Sequence, residues 1–173
     1  MKKQKKELNF FCKRALKLGA QDCKVIDAST VKTAAWVRYK CQYGCDGFNA
    51  CLTCPPYSPT PEETKKILSD YKKAILLHCP RGLKADISKI AVALEKEAFF
   101  AGYYKALAMG AGPCRLCSTC DFKGGCRHAY EARPSMEACG IDVYATVRKN
   151  GFAIETIDSS RCQANFFSLV LME

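Results

Sequence analysis

A chain of 173 residues can bury one hydrophobic core and falls short of the length at which cores divide, so a single cysteine-rich metal-binding domain over residues 1–173 is expected. Thirteen cysteines without a bilayer-length apolar stretch argue against both a disulfide-stapled secreted fold and a membrane protein. The odd count leaves a thiol unpaired, and Cys12, Lys13, Arg14 and Lys17 break the apolar run that a leader needs after the basic start. Lys and Arg exceed Asp and Glu by 27 − 17 = 10; two metal–sulfur cores of charge +2, each on four thiolates, would bring this to about +6, so part of the basic excess reads as compensation for buried anionic cofactors.

Leu8, Phe11, Cys12, Ala15 and Leu18 recur at helical spacing over residues 5–18, with Gly19 as the stop. Two short β-branched or aromatic runs, Cys23–Ala28 and Thr33–Tyr39, are expected to be strands of a hairpin, the second leading into Cys41. Pro55, Pro56 and Pro59 exclude regular structure. Thr60, Pro61 and Glu63 then spell a capping box for a helix running to about Tyr71. Ala74–His78 reads as a buried strand bounded by Pro80 and Gly82. Asp86 caps a helix with Ile87, Ile90, Ala91, Leu94, Ala98 and Ala101 on one face, expected to reach Gly110. Another helix is expected to open at Pro134, Ser135 and Met136, with Val143, Tyr144 and Val147 facing inward and Gly151 beyond its end. Phe152–Ile157 and Phe166–Leu171 read as closing strands. The interleaving predicts an α/β fold, a mixed sheet flanked by helices and bearing two cysteine-rich metal loops.

The later loop carries the more diagnostic spacing. Cys114, Cys117 and Cys120 recur every third residue and Cys126 follows six residues on. Such a run lets a short loop curl around a bulky cubic 4Fe-4S cluster, each sulfur reaching a different iron. One zinc ion, with metal–sulfur bonds of about 2.3 Å, is more commonly held by two Cys-x2-Cys knuckles set a dozen or more residues apart. Cys41, Cys45, Cys51 and Cys54 supply four further thiols within fourteen residues, enough for a second cluster, with zinc or partly structural cysteines as the alternatives. The step from Cys54 into Pro55 echoes the cluster pattern in which the cysteine before a proline serves the other centre of a pair, so Cys54 and Cys126 are candidates to exchange sites.

Cys12, Cys23, Cys79, Cys139 and Cys162 read as small buried hydrophobes, Cys139 and Cys162 with the best prospect of lying near metal. His78 is expected to finish a strand and His128 to hydrogen-bond near the cluster. Arg115, Arg127 and Arg133 flank the cluster loop, either balancing its charge or, with His128, contacting an anionic substrate.

Three segments together resemble one family: Cys41–Cys45 through Cys54–Pro61, Gly112–Cys117, and Cys126–Glu137 with Gly140–Val143. This is the predicted metal-binding protein family, domain of unknown function 2284, of anaerobic bacteria and archaea. The resemblance implies cysteine-ligated metal in one domain, without an assigned reaction. Its pattern weights the positions of Cys41, Cys45 and Cys54 above that of Cys51, which implies a first site of three protein sulfurs if Cys51 lies elsewhere.

Three functions are then in view. The first is electron transfer by two 4Fe-4S clusters to an acidic redox partner in the cytoplasm, an association that weakens as salt rises. The second is an enzyme in which one iron lacks a protein ligand and works as a Lewis acid or sulfur acceptor. The third, a zinc module binding nucleic acid through the lysine-rich start, lacks paired knuckles and a stripe of alternating aromatic and basic residues.

Overall fold

The computed structural model describes residues 7–80, 85–156 and 164–173. Helix α1 (Leu8–Lys17) precedes strand β1 (Asp22–Asp27), helix α2 (Ala35–Gly44), helix α3 (Pro61–Ser69), strand β2 (Lys73–Pro80), helix α4 (Ile87–Phe100), strand β3 (Leu107–Met109), helix α5 (Val143–Lys149) and strand β4 (Asn165–Met172). The α/β class holds. The sheet runs β1-β2-β4-β3, and its three strand pairings are all antiparallel where a mixed sheet is expected.

Strands β2 and β4 lie at the centre and are apolar on both faces, as strands covered on two sides must be. Alternate residues divide between two cores. Ile75, Leu77, Val170 and Met172 face Phe11 and Ala15 of α1 and Ile87, Ala91, Leu94 and Ala98 of α4. Ala74, Leu76, Leu169 and Leu171 face Leu68 of α3, Met136, Ile141, and Val143 and Val147 of α5. The cysteine loops take no part in either layer: they project from the segments that follow α2 and β3.

Thr60 closes its capping box with Glu63, and Asp86 caps α4 through the Ser88 and Lys89 amides. Four expectations need correction. Residues 35–44 form α2, not the second strand of a hairpin. Val37 is buried while Trp36, Tyr39 and Tyr43 face outward, Tyr39 and Tyr43 meeting at 4.7 Å one turn apart. The Arg38 guanidinium donates to the carbonyls of Ser58 and Pro59 at 3.0 and 2.8 Å. These tertiary contacts override the β-propensity of the run, and β1 pairs with β2 instead.

Helix α4 stops at Phe100, short of Gly110, because Gly102 takes φ +99° and the Tyr103 amide turns back to the Ala98 carbonyl. That stop frees Leu107–Met109 to pair with β4. Pro134–Ile141 forms turns tied to the end of β3, with Gly110 donating to Pro134 and Met136 to Gly110, so the helix begins only after the Asp142 cap. Residues 152–156 form no strand; the Ile154 carbonyl accepts from Arg148 at 2.8 Å rather than from a neighbouring strand. Gly82, Ile157, Cys162 and the lysines of the first six residues lie outside the described residues.

Candidate metal centre

Helix α2 places Cys41 in its last turn and Cys45 at its C-cap. A succession of tight turns then carries the chain past Cys51 to Cys54, the Cys54 amide donating to the Cys51 carbonyl at 3.0 Å. Cys54 is buried, Cys41 half-buried and Cys45 exposed. Burial pushes the Cys41 and Cys54 thiols up; the Cys45 charge adds to both, Arg38 opposes it at Cys41, and the Thr53 hydroxyl opposes it at Cys54.

The second loop is organised by polar contacts. The Asp121 carboxylate accepts the Lys123 and Gly124 amides at 3.1 and 2.8 Å, and Arg127 donates to the Thr119 carbonyl at 2.7 Å. Burial pushes the Cys114 thiol up, with Cys120, Cys126 and Cys117 near enough to raise it further. Crowded, protonated thiols of this kind bind metal only as their protons leave, so uptake strengthens as pH rises.

The two loops pack against each other. Cys51 lies between the groups: its thiol donates to Cys54 and Cys120 and to the Cys114 carbonyl at 3.8 Å, and burial followed by the Cys54 and Cys120 charges pushes it up to about 11. Tyr57 and Phe122 bring their rings to 5.2 Å across the same seam. The eight thiols thus divide into Cys41, Cys45 and Cys54 on one side and Cys114, Cys117, Cys120 and Cys126 on the other, with Cys51 at the seam. Cys51 reaches across the seam. Among the described residues, no three His, Cys, Asp or Glu donors are grouped to hold one metal ion.

The three thiols of the first group open on a cleft of about 760 Å³, also lined by Lys40, Phe48, Ile141 and Glu137. Glu137 Oε2 is buried without a hydrogen-bond partner, and burial pushes its carboxyl up against the opposing pull of its own amide and Ser135. In the sequence this carboxylate is marked only as the end of the family-like segment Cys126–Glu137, on a stretch expected to be helical.

The flanking cations divide. Arg133 makes a two-pronged ion pair with Glu95, both contacts at 2.8 Å, and donates to the Ala132 carbonyl. Arg115 is exposed and lines a second cleft of about 790 Å³ with Lys89 and Lys96. His128 is exposed, its carbonyl capping the Glu131 and Ala132 amides. His78 stacks on Phe167 at 4.8 Å within the sheet. Cys79 and Cys139 are buried, as expected of small hydrophobes, and burial pushes Cys139 up to about 12. Cys12 and Cys23 pack half-buried against the core, their sulfurs lying 2.7 Å apart.

An antiparallel sheet wrapped by helices, with two cysteine-bearing loops held together outside its cores, defines a cysteine-rich α/β protein built to present thiols. The chain belongs to the family described as predicted metal-binding protein (DUF2284), whose profile matches residues 24–172. No curated protein and no solved structure matched. Among the described residues, no helix is long and apolar enough to cross a membrane.

Proposed function

We propose that this metal-binding protein is an iron–sulfur protein that carries two 4Fe-4S clusters and passes single electrons to an acidic redox partner in the cytoplasm. The observation that carries the reading is the seam between the loops, where Cys51 reaches Cys114 and Cys120. Two centres held by these loops would be neighbours, as stepwise electron transfer requires. Cys114, Cys117, Cys120 and Cys126 would hold one cluster. Cys41, Cys45 and Cys54 would hold the other, with Cys51 at the seam available to either. The donor chemistry fits, since all eight candidates are thiols and the Cys114 loop follows cluster spacing. Bound there, the clusters would supply one-electron redox chemistry; the protein's part is to position the thiols, restrict water at Cys54, and present a basic surface that guides the partner.

A second reading has its own observation. The first group offers three thiols without Cys51, beside a cleft into which the unpartnered Glu137 oxygen is built. That arrangement suits an iron with one position open to a small substrate, the enzyme alternative. Arg133 and Arg127 already hold Glu95 and the Thr119 carbonyl, so neither favours it.

Anaerobic purification with iron, sulfide and zinc analysis, followed by electron paramagnetic resonance after dithionite reduction, separates these readings. Two magnetically interacting centres are expected. Cys54→Ser should remove the first centre and leave the second; Cys51→Ser should perturb whichever centre takes its sulfur and leave the other intact. A chain loaded with zinc and free of sulfide would sink both iron readings. A first centre whose spectrum changes on addition of a small thiol would favour the enzyme.

A further inference from the structure

Cys12 lies on α1 and Cys23 on β1, both at the margin of the core that α1 shares with the sheet. Their sulfurs stand 2.7 Å apart, closer than the roughly 3.5–4.0 Å at which uncharged atoms rest against each other and longer than the roughly 2.05 Å of a covalent bond between them. Both residues are half-buried, so the packing of α1 holds the pair together while leaving it within reach of a small reagent. The family profile begins at residue 24, leaving both cysteines outside the matched span.

We propose that Cys12 and Cys23 form a thiol–disulfide exchange site for low-molecular-weight disulfides of the glutathione type, independent of the metal loops. Cys12 is the attacking sulfur: the Cys23 thiol donates its hydrogen bond to it, which stabilises the thiolate and lowers the Cys12 pKa. Cys12 thiolate attacks one sulfur of the small disulfide, expels one thiolate and keeps the other half as a mixed disulfide. Cys23 then loses its proton and attacks the Cys12 sulfur, forming the Cys12–Cys23 bond and expelling the second thiolate. Two electrons pass from the protein pair to the small disulfide, and the two protein protons end on the two small thiols. Excess small thiol reverses both steps. The closed form ties α1 to β1, restricting the unfolded chain and raising the unfolding temperature.

The test uses the full metal-loaded chain, prepared anaerobically and equilibrated across ratios of reduced to oxidised glutathione, then quenched in acid, alkylated and digested with trypsin. Cleavage after lysine and arginine puts Cys12 in the peptide of residues 7–13 and Cys23 in that of residues 18–24, each with one cysteine. A cross-linked pair lacking two hydrogens should grow as the ratio becomes oxidising, at unchanged iron and sulfide content, with an upward shift in the thermal midpoint. In Cys23→Ser the second step is lost, and Cys12 should accumulate as the glutathione adduct without that shift. Recovery of both peptides separately and fully alkylated at every ratio would overturn the proposal, as would a Cys23→Ser chain whose Cys12 never takes up glutathione.

Discussion

A methyl group at Gly47 would lie 3.1 Å from Cys54 Sγ, 3.1 Å from Pro113 Cβ and 3.5 Å from Cys45 Sγ. The residue is therefore one contact point between the first cysteine loop and the second, where the absent side chain lets the backbone lie close to both sulfurs. Gly47→Ala is expected to displace a sulfur by a few tenths of an ångström without touching either core. On the cluster reading this costs tenfold or more, roughly, in metal affinity at the first site, the scale found when the surroundings of a ligand are disturbed. Circular dichroism should stay unchanged while iron per chain falls; unaltered iron retention against a chelator would show that the Cys45–Cys54 geometry is not what holds metal. The same residue marks a boundary of what spacing reveals. The sequence places Cys41, Cys45, Cys51 and Cys54 in one group, because distance along the chain is all it offers. The turns at Gly47 and Cys54 leave Cys51 within hydrogen-bond reach of Cys54 on one side and of Cys120 on the other, and the pairing of Cys12 with Cys23 depends on the docking of a helix on a strand.

Between elements, the Arg133–Glu95 pair ties the return from the Cys114–Cys126 loop to α4, and Glu95 Oε2 also accepts the Ala108 amide at the start of the β3 ladder. Both side chains are mostly buried, at 18% and 13% exposure, so removing one partner strands a charge rather than releasing it to water. Arg133→Ala should destabilise the fold by about 3 kcal/mol in urea unfolding. Arg133→Lys should recover only part of this, since an ammonium cannot reproduce the two-pronged contact. A loss within error of zero for Arg133→Ala would show the pair to be idle. The elements legible in the sequence are those whose local signals agree with their burial: α1 by its apolar spacing, α3 by its capping box, α4 by Asp86, and β2 and β4 by continuous apolar runs. Helix α2 was hidden because its β-branched and aromatic residues mostly face outward, where propensity yields to the contacts of Val37 and Arg38. Strand β3 was hidden inside an apparent continuation of α4, since Ala, Leu and Met favour helix and only the Gly102 turn separates the two.

Across the molecule, the apolar layers and the thiols occupy different chain segments, and their stabilities should separate accordingly. Ala74–Leu77 and Leu169–Met172 are fully buried between the two cores, whereas most of residues 114–133 is exposed or half-buried and relies on local turns around Asp121 and Arg127. The first loop draws one buried sulfur, Cys54, and the contacts across the seam. Segments with so little apolar burial open at low free energy unless something else orders them, and metal bound by deprotonated thiols supplies that ordering as folding free energy. On the cluster reading, stripping iron from the anaerobically purified chain is therefore expected to speed amide hydrogen exchange by tenfold or more, roughly, over residues 41–58 and 112–133, while β2 and β4 keep their protection. Reconstitution with iron and sulfide should restore slow exchange in both loops together, because the seam at Cys51, Tyr57 and Phe122 couples them. Loss of protection in the central strands on iron removal would mean that the metal supports the whole fold. Loops unchanged by stripping would mean that their turns suffice without it.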